Sequence, residues 1–235
     1  MAISRQIEKM MEDSIMGLPI SFDIDGEQFE LRPVSLGQAY LISRYREGMA
    51  DNLRVLSDKT DTGKRLDYRK AIAHIVAIAT FSKKRDILSS ECLNARADFF
   101  DANLDDDDLF KLYDIVIASL GDTERFIKAS GLDYDRQTLA RIARHKADDG
   151  NISFGGRTAY GSIISPACEK YGWTLDYVVW GISLTNLEML LADAQSSCYL
   201  SKEDRKQLHV STDRDVIDMS DPKNNVLLVK MIKGN

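Results

Sequence analysis

Apolar residues recur along this chain with two different periods, and the places where the period changes mark its elements. Ile3, Ile7, Met10 and Met11 repeat at helical spacing, which predicts an amphipathic N-terminal helix with an adaptable, methionine-rich face. ISFDIDGEQFEL then sets Ile20, Phe22 and Ile24 before Asp25-Gly26, and Phe29 and Leu31 after it. A period of two around Asp-Gly predicts a β-hairpin at about 20–32. A lone hairpin is marginal in water, so this one must pack on helices.

Helical spacing takes over beyond Pro33. Ser35 and Gln38 form a capping-box signature for a helix running to about Glu47, with Gly48 as its stop and Leu36 and Tyr40 on its inner face. The polar stretch SDKTDTGKR predicts a loop, after which Tyr68, Ile72, Ile75, Val76 and Ala79 share one face of a central helix. Ser89 or Ser90 caps a shorter helix carrying Leu93, Phe99 and Phe100. Leu109, Tyr113, Val116, Ile117 and Leu120 trace the next stripe, and two modest helices follow between Asp122 and Asp149.

The glycines of DDGNISFGGRTAYGS break this periodicity and mark a boundary or hinge. Past it, Ser165-Pro166 reads as a cap and first turn, Gly172 as a stop, Thr174 as a second cap, and Ser183 or Thr185 as a third. Leu184, Leu187, Leu191, Ala194 and Cys198 form a narrow seam, and Ser201 with Asp204 opens a last charged turn. The expected fold is mainly α: a helical body at 1–149 with one N-terminal β-hairpin, a smaller C-terminal helical domain at 150–208, and a tail at 209–235 with one adhesive segment at Val226–Val229.

Composition narrows the function classes. A formal charge of −6 and a pI near 5.2 argue against nucleic acid as the main partner, since phosphate binding draws on clustered Lys and Arg. Cys92, Cys168 and Cys198 are far apart and odd in number, which suggests neither a disulfide framework nor a metal site and fits a reducing cytoplasm. Glu8, Glu12 and Asp13 interrupt what a signal peptide would need as an apolar run, and Ile75–Phe81 is too short to span a bilayer. The expectation is a soluble, cytoplasmic protein without cofactor.

Candidate chemistry is thin. DANLDDDD begins like a calcium loop but has Asp106 and Leu112 where the sixth-position Gly and twelfth-position Glu belong, so the acids are read as helix caps. FGGRTAYG lacks phosphate-loop spacing, and GISLT has Thr185 where a nucleophile elbow needs its second glycine. His74, His145 and His209 sit in separate segments, and no catalytic residue is assigned. A helix-turn-helix over LDYVVWGISLTNLEMLLA is the nucleic-acid alternative, although no Arg or Lys occurs between Leu184 and Gln195.

Two tryptophans stand out in YGWTLDYVVWGISLTNLEML. In one helix Trp173, Tyr177 and Trp180 would point the same way; with Thr174 as cap, Trp173 would precede the helix. With Met10 and Met11 they are the candidate partner-binding residues, though such clusters also build cores.

The order of FELRPVSLGQ, IVAIATFSKKRDILSSE, LDDDDLFKLYDIVIAS, SFGGRTAYG, ACEKYGWTLDYVVWGIS and NLEMLLAD resembles the tail assembly chaperones of tailed bacteriophages and prophages, in their long form with a C-terminal extension. The resemblance implies a non-catalytic protein that coats the long helical tape-measure protein, keeps it soluble and recruits tail-tube subunits. It also implies a junction made by ribosomal frameshifting, which would fall near Gly155. It transfers no individual binding residue.

Overall fold

The computed structural model describes residues 5–50, 62–147, 156–194 and 198–210. Within them the chain is mainly α, with one antiparallel hairpin. Helix α1 (Arg5–Met16) precedes strands β1 (Ile20–Ile24) and β2 (Glu27–Leu31). Then come α2 (Leu36–Ala50), α3 (Thr62–Thr80), α4 (Lys84–Leu88), α5 (Ser90–Asn103), α6 (Asp106–Leu120), α7 (Asp122–Ser130) and α8 (Leu132–Ala147). The C-terminal part comprises α9 (Ser165–Tyr171), α10 (Leu184–Ala192) and α11 (Lys202–Leu208), with π-helical turns at Tyr160–Ile164 and Tyr177–Gly181.

Local chemistry sets the hairpin. Asp25 (φ 50°) and Gly26 (φ 82°) both take the left-handed conformation that a two-residue turn between twisted strands requires. The resulting register pairs Phe22 with Phe29 and Ile20 with Leu31. Phe29 meets Phe100 of α5 edge-on at 4.9 Å, so the aromatic face of the hairpin docks on the helices. Arg96 of α5 closes the edge, its guanidinium 4.0 Å from the centre of the Phe81 ring.

Helix α3 is the axis of the larger core. Ile72, Ile75, Val76, Ala77 and Ile78 are all 0% exposed, which occurs only in a helix enclosed on every side. Helices α2, α5 and α6 and strand β2 pack around it. Its C-terminal end is sealed by Gln38: the Nε2 amide donates to the carbonyls of Ile78 (2.8 Å) and Phe81 (3.0 Å). The same side chain accepts from the Ser35 N–H at 2.8 Å, so the predicted capping box also ties α2 to α3.

A second, smaller core gathers Leu36, Ile164, Ala167, Val178 and Leu187. Leu36 belongs to α2, so the N-terminal part of the chain contributes to it directly. The Leu184 N–H donates to the Val34 carbonyl at 2.7 Å, and Ser35 bridges Ser183. Helix α10 also packs on α7.

Several expected caps are in place: Ser89 accepts from the Cys92 N–H, Asp105 from Asp108, Ser183 from Asn186, and Ser201 with Asp204 forms a full capping box. Asp101 and Asp106 both pair with Arg69, which also donates to the carbonyls of Asp101 and Leu104. The acidic run thus holds the α5–α6 corner.

Other expectations need correction. Helix α2 continues through Gly48 to Ala50, because Met49 reaches the larger core at 5% exposure and its burial outweighs the roughly 1 kcal/mol cost of a helical glycine. Leu36 is buried, whereas Tyr40, one turn on, is 50% exposed beyond the cover of the second core. Ser165 is no cap: its backbone is helical and its N–H donates to the Tyr160 carbonyl, so the helix starts earlier and a wide turn just ahead of Pro166 accommodates the missing N–H. Cys198 does not complete the seam, since α10 ends at Ala192 and the thiol is exposed. Ile3, the loop residues up to Asp61, the glycine stretch up to Gly155 and the tail beyond Val210 lie outside the described residues.

Candidate functional site: an aromatic groove beside helix α1

Thr174 decides where the tryptophans point. Its Oγ1 accepts the Tyr177 N–H at 3.2 Å, so it caps the following turn and leaves Trp173 ahead of it. Trp173 stacks on Tyr171 at 4.6 Å and takes Tyr177 edge-on at 5.1 Å. The Tyr171 hydroxyl donates to the Leu190 carbonyl at 2.8 Å, which fixes this three-ring platform to α10.

Trp180 faces the other way. It packs against the larger core, its ring lying where a Cβ on Gly37 would come within 2.7 Å. Lys84 Nζ sits 5.9 Å from the ring centre and pairs with Asp176. Trp180 is therefore half-buried in a joint between the C-terminal part and α2. The one-helix alignment of Trp173, Tyr177 and Trp180 is not realised.

Opposite the platform runs the C-terminal half of α1. Together they bound a groove of about 910 Å³, with Met11, Ile15 and Met16 on one wall and Tyr171, Trp173, Tyr177 and Leu190 on the other. Ile15 is 71% exposed, Met16 62%, Tyr177 43% and Leu190 41%, so the groove presents apolar surface to solvent. Arg32, Lys170 and Asp193 also line it.

Met10 turns to a second cavity, about 370 Å³, on the other flank of α1 with Leu18, Ile20, Val34 and Ile115. Its sulfur receives Arg125 at 3.8 Å. Asp122 lines this cavity too; burial pushes its carboxyl up, with Arg125 opposing.

The structure thus joins Met11, Trp173 and Tyr177 in one groove, puts Met10 in the neighbouring cavity and Trp180 in the joint. Ile15, Met16, Tyr171 and Leu190 join the site without having been singled out. Ile15 had a readable signal, continuing the stripe of Ile7 and Met11 at intervals of four. The contribution of Leu190 depends on how α10 lies against Tyr171, which spacing does not encode.

Comparison with protein-family models, with curated proteins and with solved structures returned no match.

Two of the three flagged histidines have structural partners. His74 stacks on Tyr45 at 4.9 Å, with Nδ1 2.8 Å from the Lys70 carbonyl and Nε2 3.1 Å from Asn94 Oδ1. His145 Nε2 meets Asp204 Oδ1 at 2.9 Å, and that contact first, then Ser201, pulls the Asp204 carboxyl down to about 2. Gly156 and Gly161 lie back to back, so close that a Cβ on Gly161 would come within 2.9 Å of Gly156. No described helix is long and apolar enough to cross a membrane.

What the groove offers is a long apolar wall, an aromatic platform and a few charged groups at the rim. That combination suits an amphipathic helix, whose apolar stripe packs between the walls while its polar face stays wet.

Proposed function

We propose that this chain is a non-catalytic chaperone of phage tail assembly that binds the long helical tape-measure protein, with tail-tube subunits as further partners, in the cytoplasm of the host. The observation that carries the reading is the groove in which Met11, Ile15 and Met16 face Trp173, Tyr177 and Leu190. Methionine and aromatic side chains suit a client with many similar but unequal helical segments, because thioethers repack and rings supply area at little entropic cost. The alternative, DNA binding through Tyr177–Gly181 and α10, has less support: α10 carries no Lys or Arg, and its Thr185 and Leu187 are buried.

The test is co-expression with the tape-measure protein of the same phage or prophage. The client is expected to move from the pellet to the soluble fraction and to be recovered with this chain at high as well as low salt. Trp173→Ala and Leu190→Glu are each expected to lower recovery by roughly tenfold, an effect on the scale of a single interface anchor, with circular dichroism unchanged. A client that stays insoluble, or recovery untouched by both variants, would sink the reading.

A further inference from the structure

The hairpin leaves one edge open. With Asp25-Gly26 as a two-residue turn, Ile24 and Glu27 form the closing hydrogen-bonded pair, so alternate residues of each strand turn their N–H and C=O groups away from the other strand. On β2 the outward residues are Gln28 and Glu30, and next in step the Arg32 N–H donates to the Ala79 carbonyl at 3.4 Å. That edge is thereby tied to α3. On β1 the outward residues are Ser21 and Asp23, both exposed, and among the described residues the sheet ends there. An open edge of this kind is a template for a further strand.

The surroundings of the edge specify the strand it fits. Ile20, Phe22 and Ile24 share the face of β1 turned to the helices, where Phe22 stacks on Phe29 and lies 6.3 Å from Phe100. Ile20 nevertheless stays exposed, as do Leu18 and Ile115 in the cavity they line with it. The other face carries Ser21 and Asp23. From Ile20 to Arg32 the hairpin has Asp23, Asp25, Glu27 and Glu30 against a single arginine. Glu30 is paired with Arg32, whereas Asp23 and Asp25 have no ion-pair partner among the described residues. The fitting strand is apolar on one face and cationic on the other.

The tail carries such a segment. From Lys223 to Lys233 it reads KNNVLLVKMIK, with Lys223, Lys230 and Lys233 and no acid. A period of two sets Leu227, Val229 and Met231 on one face and Lys230 on the other. We propose that Val226–Ile232 of the same chain adds to β1 as a third strand, with Lys230 beside Asp23. Val229 and Met231 then fall beside Phe22 and Ile24 whichever way the strand runs, because cross-strand neighbours point to the same face. The 13 residues between Val210 and Asn224 extend to about 45 Å, as far as a domain of this size is wide, roughly 40 Å. A second copy of β1 is the poorer occupant, since it brings the same acids to the edge. The pairing closes the edge from within the chain, so strands of other copies find no template there. It goes beyond the client-binding reading and does not depend on it.

The experiment follows amide hydrogen exchange by NMR in the full chain. The Ser21 and Asp23 amides are expected to exchange at least tenfold more slowly than those of a free strand edge, at a rate independent of protein concentration. Val229→Pro with Lys230→Pro removes the tail's donors for either strand direction, and is expected to return Ser21 and Asp23 to free-edge rates. Phe22 and Ile24, bonded to Phe29 and Glu27, keep their protection in that variant and show that the hairpin is still folded. Lys230→Glu is expected to lower the protection by about threefold, and adding Asp23→Lys to restore it. Free-edge exchange of Ser21 and Asp23 in the unmodified chain overturns the proposal, as does protection that survives the two prolines. Protection that rises with protein concentration overturns it too, because the occupant is then a second copy.

Discussion

Helices α3 and α1 both carry apolar residues at helical spacing, and they occupy opposite ends of the packing range. In α3 five residues between Ile72 and Ile78 are fully enclosed; in α1 Ile15 is 71% exposed and Met16 62%. The difference lies in what surrounds the stripe. Small Ala71, Ala73, Ala77 and Ala79 let other elements close on α3 from several sides, so even its less apolar faces are covered. Charged Lys9, Glu12 and Asp13 leave α1 a single apolar face, and that face borders two cavities. A clean amphipathic stripe is thus evidence for a surface to be shared, whereas a helix apolar all round is evidence for a core.

The sharpest test of that contrast is Ile75→Ala in α3. It is expected to cost about 2–5 kcal/mol in urea unfolding, the range for a fully enclosed Ile. A cost below about 1 kcal/mol would mean the core relaxes around the loss and α3 is not the axis described. Next in size is Gly37→Ala, which drives a methyl group into the Trp180 ring; about 1–3 kcal/mol is expected from overpacking. In a double-mutant cycle with Trp180→Ala most of that cost should vanish, and additivity of the two changes would show that the clash is not the cause. At the other end of the range, Ile15→Ala should shift stability by no more than about 0.5 kcal/mol, since the side chain is mostly in water. A larger loss would make α1 part of the folded core after all.

The smallest effect concerns α11, a short helix joined to α8 through His145 and Asp204. Because the folded carboxyl lies at about 2, below its ordinary value of 3.8, the contribution of Asp204 is complete above about pH 4 and is lost as the pH falls through about 2. His145→Ala removes the leading cause of that depression. Carboxyl chemical shifts are expected to show Asp204 titrating closer to 3.8 in the variant, and an unchanged titration would assign the depression to Ser201 instead.

Features written within a few residues were legible before any coordinates. Asp25-Gly26 specifies its turn by φ alone, and Ser35, Ser89, Asp105, Ser183 and Ser201 cap because their oxygens reach N–H groups three residues on. The stripe of α3 was equally plain, since a run such as Ile72–Ile78 has few ways to avoid a core. What distance in the sequence hides is who supplies the other half of a contact. Trp180 settles on Gly37, Leu190 beside Tyr171, and Leu36 under Val178 and Leu187; each choice is made by packing, and spacing within one segment carries no record of it. The groove was half legible for the same reason: Met11, Trp173 and Tyr177 announce apolar surface, and only the fold says that they face one another.

The notch above Gly37 has a consequence for the time order of assembly. Synthesis delivers α2 and α3 long before Trp180, so the growing chain carries the notch open while the larger core condenses. The three heavy atoms nearest to a Cβ built there all belong to Trp180. Its closure waits on a residue synthesised well after α6, and the arrival of that indole, with Lys84 over its ring and paired with Asp176, joins the C-terminal part to α2.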